Sequence, residues 1–230
     1  MNFYCLTHVP FEGPAYLENW AVANNHTFVT AKSYEFEFPD LKDYDVLVSM
    51  GGPMSANDDH IYPWLKEEKK IIEKAISNNK KFIGICLGAQ IAANVLGAKV
   101  KLNPQKEIGW FDVQLTKGGR SHRLFSEFAD TFPVFHWHGE TFEIPKGALH
   151  LMQSTGCDNQ GFIYGDHILG LQFHMEGTEE SIIAMMDDGL DELIPDRFVQ
   201  SESVIREKTV KMAPKANALC GEMMNLFLKD

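Results

Sequence analysis

Two short apolar runs, each ending at a glycine-bearing turn, do most to restrict the folds open to this chain. Asp45-Val46-Leu47-Val48-Ser49-Met50 stops at Gly51-Gly52-Pro53, and Phe82-Ile83-Gly84-Ile85 leads into Cys86-Leu87-Gly88. Runs so short and so uniformly apolar suit strands buried on both faces. Between them, residues 62 to 77 carry Leu65, Ile72 and Ile76 at helical spacing, while the Lys-Glu-Glu-Lys-Lys segment is polar. Residues 2 to 6 read as a first strand, 14 to 24 as a helix, and Gln90 to Leu96 as a small-residue helix ended by Gly97. This alternation predicts a three-layer α/β fold, a mostly parallel central sheet with helices on both faces. From about 108 to 174 the segments shorten and take on glycine and proline punctuation, more antiparallel in character. Residues 178 to 187 resume helical spacing. Residues 201 to 228 read as two helices divided near Pro214, because proline lacks the amide proton of the ladder. Glu202 with Arg206 and Glu207 with Lys211 support them at four-residue spacing. The expected organisation is a single domain over residues 1 to 230, with a core to about 185 and a helical C-terminal extension from about 186.

Charge narrows the partners. Lys plus Arg number 21 and Asp plus Glu 32, a net charge of −11, and an acidic chain disfavours general nucleic-acid binding. The four cysteines, Cys5, Cys86, Cys157 and Cys220, match neither a paired framework nor a CxxC metal spacing, so reduced thiols are expected. The N-terminus has no signal-peptide pattern and no apolar stretch is long enough to span a bilayer, so a soluble, cytoplasmic protein is expected. Trp20, Trp64 and Trp110 read as core residues. Met185-Met186 and Met223-Met224 read as core or a helix-packing face, which leaves a homo-oligomer contact open.

The chemistry concentrates at Gly84-Ile85-Cys86-Leu87-Gly88-Ala89-Gln90. An apolar strand leads in, a helix leads out, and glycines flank the cysteine at two residues on either side. That is the pattern of a strand-turn-helix elbow, which presents a nucleophile on a strained turn at the carboxyl end of a sheet. The helix N-terminus favours a thiolate there. The plainer alternative is a buried cysteine in an ordinary turn. Leu171-Gln172-Phe173-His174-Met175-Glu176 supplies a base, since residues two apart on an extended segment share a face. Glu176 could then orient His174, whose other nitrogen would serve Cys86. The amides of Gly51-Gly52-Pro53-Met54-Ser55 and of Leu87 could serve a developing oxyanion.

Taken in order, Gly-Gly-Pro-x-Ser, Gly-x-Cys-x-Gly-x-Gln and His-x-Glu resemble the class I (triad) glutamine amidotransferases, over roughly residues 1 to 185. His136-Trp137-His138-Gly139-Glu140 resembles a segment of the GMP synthase glutaminase domain, and the overall likeness is to stand-alone relatives of that domain. The resemblance implies a flavodoxin-like fold, with Cys86 as nucleophile, His174 as general base and then acid, and Glu176 as orienter. It implies Gly52 and Leu87 as oxyanion hole, and Gly51, Gln90, Trp137, His138, Gly139 and Glu140 as substrate-holding groups. The implied reaction cleaves the γ-carboxamide of glutamine or a γ-glutamyl compound through a γ-glutamyl thioester, with no metal or organic cofactor. No Gly-x-x-x-x-Gly-Lys-Ser/Thr phosphate loop occurs, and the tail is too short for a synthetase domain, so the expected partner is a separate ammonia-accepting subunit or none. A free-standing γ-glutamyl peptidase is the competing enzyme reading, and a non-catalytic binding or regulatory module the competing class. A metal site formed by His136, His138, His174 and Glu176 is a third reading.

Overall fold

The computed structural model describes residues 1–229. Nine strands form one sheet: β1 (Asn2–Thr7), β2 (Thr27–Lys32), β3 (Val46–Ser49), β4 (Lys81–Ile85), β5 (Val100–Leu115), β6 (Thr131–Phe142), β7 (Leu149–Gln153), β8 (Gly161–Tyr164) and β9 (Ile168–Leu171). Their order is β2-β1-β3-β4-β9-β8-β7-β5-β6. β2, β1, β3, β4 and β9 run parallel, and antiparallel pairs continue the sheet from β9 to β6. The change of character expected after residue 108 is this antiparallel half.

The unbroken apolar runs are explained by two covered faces. On β3, Val46 and Val48 face one core and Leu47 the other, all fully buried. The first core takes Leu17 and Trp20 of α1 (Tyr16–Ala23) with Cys220 and Met224 of α6 (Glu202–Phe227). The second takes Leu65 and Ile72 of α2 (Trp64–Ser77) with Ile91 of α3 (Leu87–Val95). A short helix α4 (Lys117–Ser121) follows β5, and α5 (Glu179–Asp188) follows the site segment after β9.

Residues 202 to 227 form one helix, not two helices divided at Pro214. The buried stripe Ile205, Thr209, Ala213, Ala216, Cys220, Met223, Phe227 continues in helical register across the proline. Pro214 and Val210, whose carbonyl loses its amide partner, both lie on the exposed side. The helix is held by its packed face, and the missing bond falls where water is available. The edge strand β2 carries no sequence pattern that marks it, since most of its positions are exposed or half-buried. Met186, Met223 and Met224 are wholly buried within the chain and Met185 nearly so, so they present no free face for a second copy. Trp20, Trp64 and Trp110 are buried as expected. Among the described residues no helix is long and apolar enough to cross a membrane.

Candidate active site

Cys86 sits between the end of β4 and the start of α3 with φ 50° and ψ −107°, a left-handed conformation rare for a side-chain-bearing residue. Its flanking glycines are dictated by contact. A Cβ at Gly84 would lie 2.6 Å from the Ala89 nitrogen, and one at Gly88 would lie 2.0 Å from the Ser49 carbonyl oxygen. Backbone bonds tie the turn to its neighbours. The Cys86 amide donates to the Leu171 carbonyl at 2.8 Å and the Gly88 amide to that of Met50 at 2.9 Å.

His174 and Glu176 follow β9 on an extended segment paired with β6, where the His174 amide donates to the Phe135 carbonyl at 2.8 Å. His174 Nδ1 lies 2.7 Å from Glu176 Oε1, and both residues are buried. The other imidazole nitrogen, Nε2, is buried without a hydrogen-bond partner. Burial works against charge on His174, but Glu176 and Cys86 outweigh it and hold the imidazole well above its ordinary range. Burial pushes the Cys86 thiol up, and His174 and the Leu87 amide pull it partly back. Asn217 of α6 clamps this segment, its Nδ2 donating to the carbonyls of Met175 at 2.9 Å and Gly177 at 3.0 Å. The C-terminal helix therefore sets where Glu176 stands.

A cavity of about 440 Å³ opens over Cys86, within the size range of small-molecule sites. Gly52, Gln90, Trp137, His138, Gly139 and Glu140 all line it. Trp137 Nε1 donates to Glu192 at 3.2 Å, and its ring packs on Gly189. Gln90 donates to Gln172 at 3.1 Å, and Gln172 Nε2 stands 3.6 Å from the Cys86 sulfur. Gly51 lies buried behind the wall, where a side chain would collide with the Glu12 carboxylate. The donors of His136, His138, His174 and Glu176 do not converge. His138 Nε2 instead donates to Glu107 at 3.1 Å, and burial pushes His136 down to about 4, leaving it neutral. The cluster of donor atoms that does converge among the described residues is Glu107, His138 and Cys157. Its members are occupied with one another and with Ser154, Gln160 and Thr141.

Three further residues stand at the site: Glu68 and Glu12 carried no signal in the sequence, while His8, near the end of the first strand, reads there only as bordering the cleft. Glu68 of α2 is wholly buried and accepts from His8 Nε2 at 3.0 Å, Ser33 at 2.7 Å and Ser49 at 2.6 Å. His8 Nδ1 stands 2.8 Å from the Gly51 carbonyl. Both partners of this ring are acceptors, an arrangement that favours the imidazolium with both nitrogens donating. Burial opposes that charge, but Glu68 outweighs it and holds His8 above its ordinary range, while the carboxyl of Glu68 is held below its own. Glu12 is the third, with Oε1 3.8 Å from His174 Nε2.

An open α/β sheet with a thiol, an imidazole and a carboxylate gathered at the carboxyl ends of its parallel strands defines a class of proteins with cysteine-centred sites. The sequence matches the model of the class I glutamine amidotransferases over residues 17–190, and the chain belongs to that family. It is 32% identical over 214 residues to the glutamine amidotransferase-like protein YfeJ of Salmonella typhimurium, covering 90% of each chain. It is 27% identical over 202 residues to γ-glutamyl peptidase 3 of Arabidopsis thaliana, covering 84% of this chain and 79% of that one. The crystal structure of a glutamine amidotransferase from Thermotoga maritima matches with a TM-score of 0.91 at 30% identity, over 100% of this chain and 99% of the other.

Proposed function

We propose that the protein is a cysteine-dependent hydrolase of γ-glutamyl carboxamides. The observation that carries this reading is the placement of Cys86 on its strained turn, floored by the buried His174–Glu176 pair and opening into the cavity. Cys86 Sγ attacks the γ-carbonyl carbon, and its proton passes to His174 Nε2 and on to the departing nitrogen. The carbonyl oxygen collects negative charge against the amides of Gly52 and Leu87, and the Gly52 amide makes no other hydrogen bond among the described residues. Water then cleaves the thioester, its proton returning through His174 to sulfur. Similarity to a γ-glutamyl peptidase and to glutamine amidotransferases fits one carbon centre with different leaving nitrogens. Glutamine itself, with ammonia passed to a separate synthase subunit, is the second reading within this chemistry. Four free buried thiols suit a reducing compartment such as the cytoplasm. Turnover of glutamine and a panel of γ-glutamyl dipeptides and simple γ-glutamyl amines, followed by mass spectrometry, separates the two. Preference for the dipeptides or for simple γ-glutamyl amines over glutamine supports the hydrolase, preference for glutamine supports the subunit, and silence on glutamine, dipeptides and γ-glutamyl amines alike sinks both.

The pH dependence follows from the buried pair. In the resting site the thiol and the imidazole both hold protons, and attack requires one to leave. Activity therefore rises with pH, and the acid limb of kcat/KM lies above the ordinary imidazole value of 6.5. Glu176→Gln lowers kcat and moves that limb down, because the carboxylate no longer stabilises the imidazolium. A limb at or below 6.5 in the wild type contradicts this assignment.

His8 acts on the same step from behind. The Gly51 carbonyl that it contacts belongs to the peptide whose N–H is that of Gly52, so an imidazolium there polarises and fixes the oxyanion donor. His8→Gln should lower kcat about tenfold, less than the loss of a whole donor. Alkylation of Cys86 by iodoacetamide, which builds no oxyanion, should keep its rate. A parallel fall in both would show a merely structural role.

A further inference from the structure

The cavity over Cys86 is acidic in a way that cleavage of a γ-glutamyl amide does not itself require. Five carboxylates line it, Glu12, Asp58, Glu140, Asp188 and Glu192, against the single cation Lys106. Lys106 is already spent on Glu192, at 2.7 Å. Asp58 accepts the Ser55 amide at 3.0 Å. Glu12, Glu140 and Asp188 accept no hydrogen bond from any described residue. Glu12 is the telling one, because its side chain is only 9% exposed, has no hydrogen-bond partner and lies on the cavity wall. Burial holds its carboxyl above the ordinary range, and the charge facing it, the His174 imidazolium, is given up when the site sheds a proton for attack, so a further cation is what favours its charged form. The fold makes room for it. A side chain at position 51 would place its Cβ 1.6 Å from Glu12 Oε1, so Gly51 leaves open the space that this carboxylate fills.

The position of Glu12 says which half of a substrate it meets. His174 Nε2 is the atom that hands a proton to the departing nitrogen, and Glu12 Oε1 is 3.8 Å from it. The carboxylate therefore stands on the leaving-group side. The α-ammonium and α-carboxylate of a γ-glutamyl group cancel, so the acyl half adds no net charge and leaves the amine half facing the negative charge of Glu12, Glu140 and Asp188. A leaving group that ends in a carboxylate, as in an ordinary γ-glutamyl peptide, would be repelled by it.

Resting on the hydrolase reading above, we propose that the preferred substrates are γ-glutamyl amides of amines that carry a further positive charge, such as diamines. In the acyl transfer the Cys86 S–C bond forms and the C–N bond breaks. The thiol proton ends on the departing nitrogen, and the freed amine takes a second proton from water to leave as an ammonium beside Glu12. In the second half water supplies hydroxyl to the γ-carbon and returns a proton to sulfur, so glutamate and the amine are the only products.

The test compares kcat/KM for three γ-glutamyl amides of matched length: a diaminobutane, neutral n-pentylamine, and an ω-amino acid ending in a carboxylate. The wild type should favour the cationic amide over the neutral one by about tenfold, the scale of a close charge pair, with the anionic amide poorest. Glu12→Gln should shrink the cationic-to-neutral ratio severalfold. Asp188→Asn, on the exposed end of α5, should shrink it as well without disturbing buried structure. A neutral amide cleaved as well as the cationic one, or ratios unmoved in both variants, overturns the substrate class while leaving the hydrolase intact. Absence of any Cys86-dependent cleavage overturns the hydrolase reading and this inference with it.

Discussion

Cys86→Ala should reduce turnover of every γ-glutamyl amide to the uncatalysed background while leaving the fold in place. In comparable triads, loss of the nucleophile alone costs on the order of 10⁶ in kcat, because the remaining members act only through it. The structural cost should be small. The sulfur contacts Gln172 Nε2 and the Trp137 carbonyl, each at 3.6 Å, so truncation removes weak contacts at the edge of an open cavity. Alanine also tolerates the φ of 50° about as well as cysteine. Thermal melts of the two proteins should nearly coincide, so that lost activity cannot be assigned to lost folding. Wild-type turnover in this variant would remove Cys86 from the chemistry.

The second large effect is on stability. Gly88→Ala would put a methyl group 2.0 Å from the Ser49 oxygen and 2.6 Å from its carbonyl carbon. Those atoms end β3, and the Gly88 amide is itself bonded to Met50 next in the chain, so neither backbone can withdraw alone. Overpacking of a core costs about 1–3 kcal/mol when side chains can adjust. With backbone on both sides, the loss should reach at least the top of that range, lowering Tm by about 10 °C in a chain of this size. A calorimetric melt within a degree or two of wild type would mean that α3 is not seated as described.

These two residues were legible in the sequence because their signals are local. An elbow needs an apolar strand, two glycines and a helix within a few positions of Cys86, and His174 with Glu176 needs only two-residue spacing on an extended segment. Glu68 shows the opposite case. It lies in the Lys-Glu-Glu-Lys-Lys segment of α2, which reads as a solvated face, yet Glu68 is wholly buried. Its partners His8, Ser33 and Ser49 are 60, 35 and 19 residues away, and no local pattern announces them. Glu12 is hidden in the same way, since its meaning depends on His174 and Gly51 meeting it in space. Pro214 misleads for a related reason, because local propensity marks a break while the tertiary stripe from Ile205 to Phe227 keeps one helix. The parallel half of the sheet was readable from runs buried on both faces, whereas edge strand β2, TFVTAK, has mostly exposed or half-buried positions and no such run.

The central claim is that a γ-glutamyl group passes through the sulfur of Cys86, and acid quenching tests it most directly. Wild-type protein mixed with a γ-glutamyl amide, stopped in acid within one turnover and digested, should yield a γ-glutamyl adduct on the peptide containing Cys86. That adduct should disappear with hydroxylamine, which cleaves thioesters, and should be absent from the peptides of Cys5, Cys157 and Cys220. Turnover with no adduct on Cys86 at any quench time, or an adduct on another residue, would contradict the account.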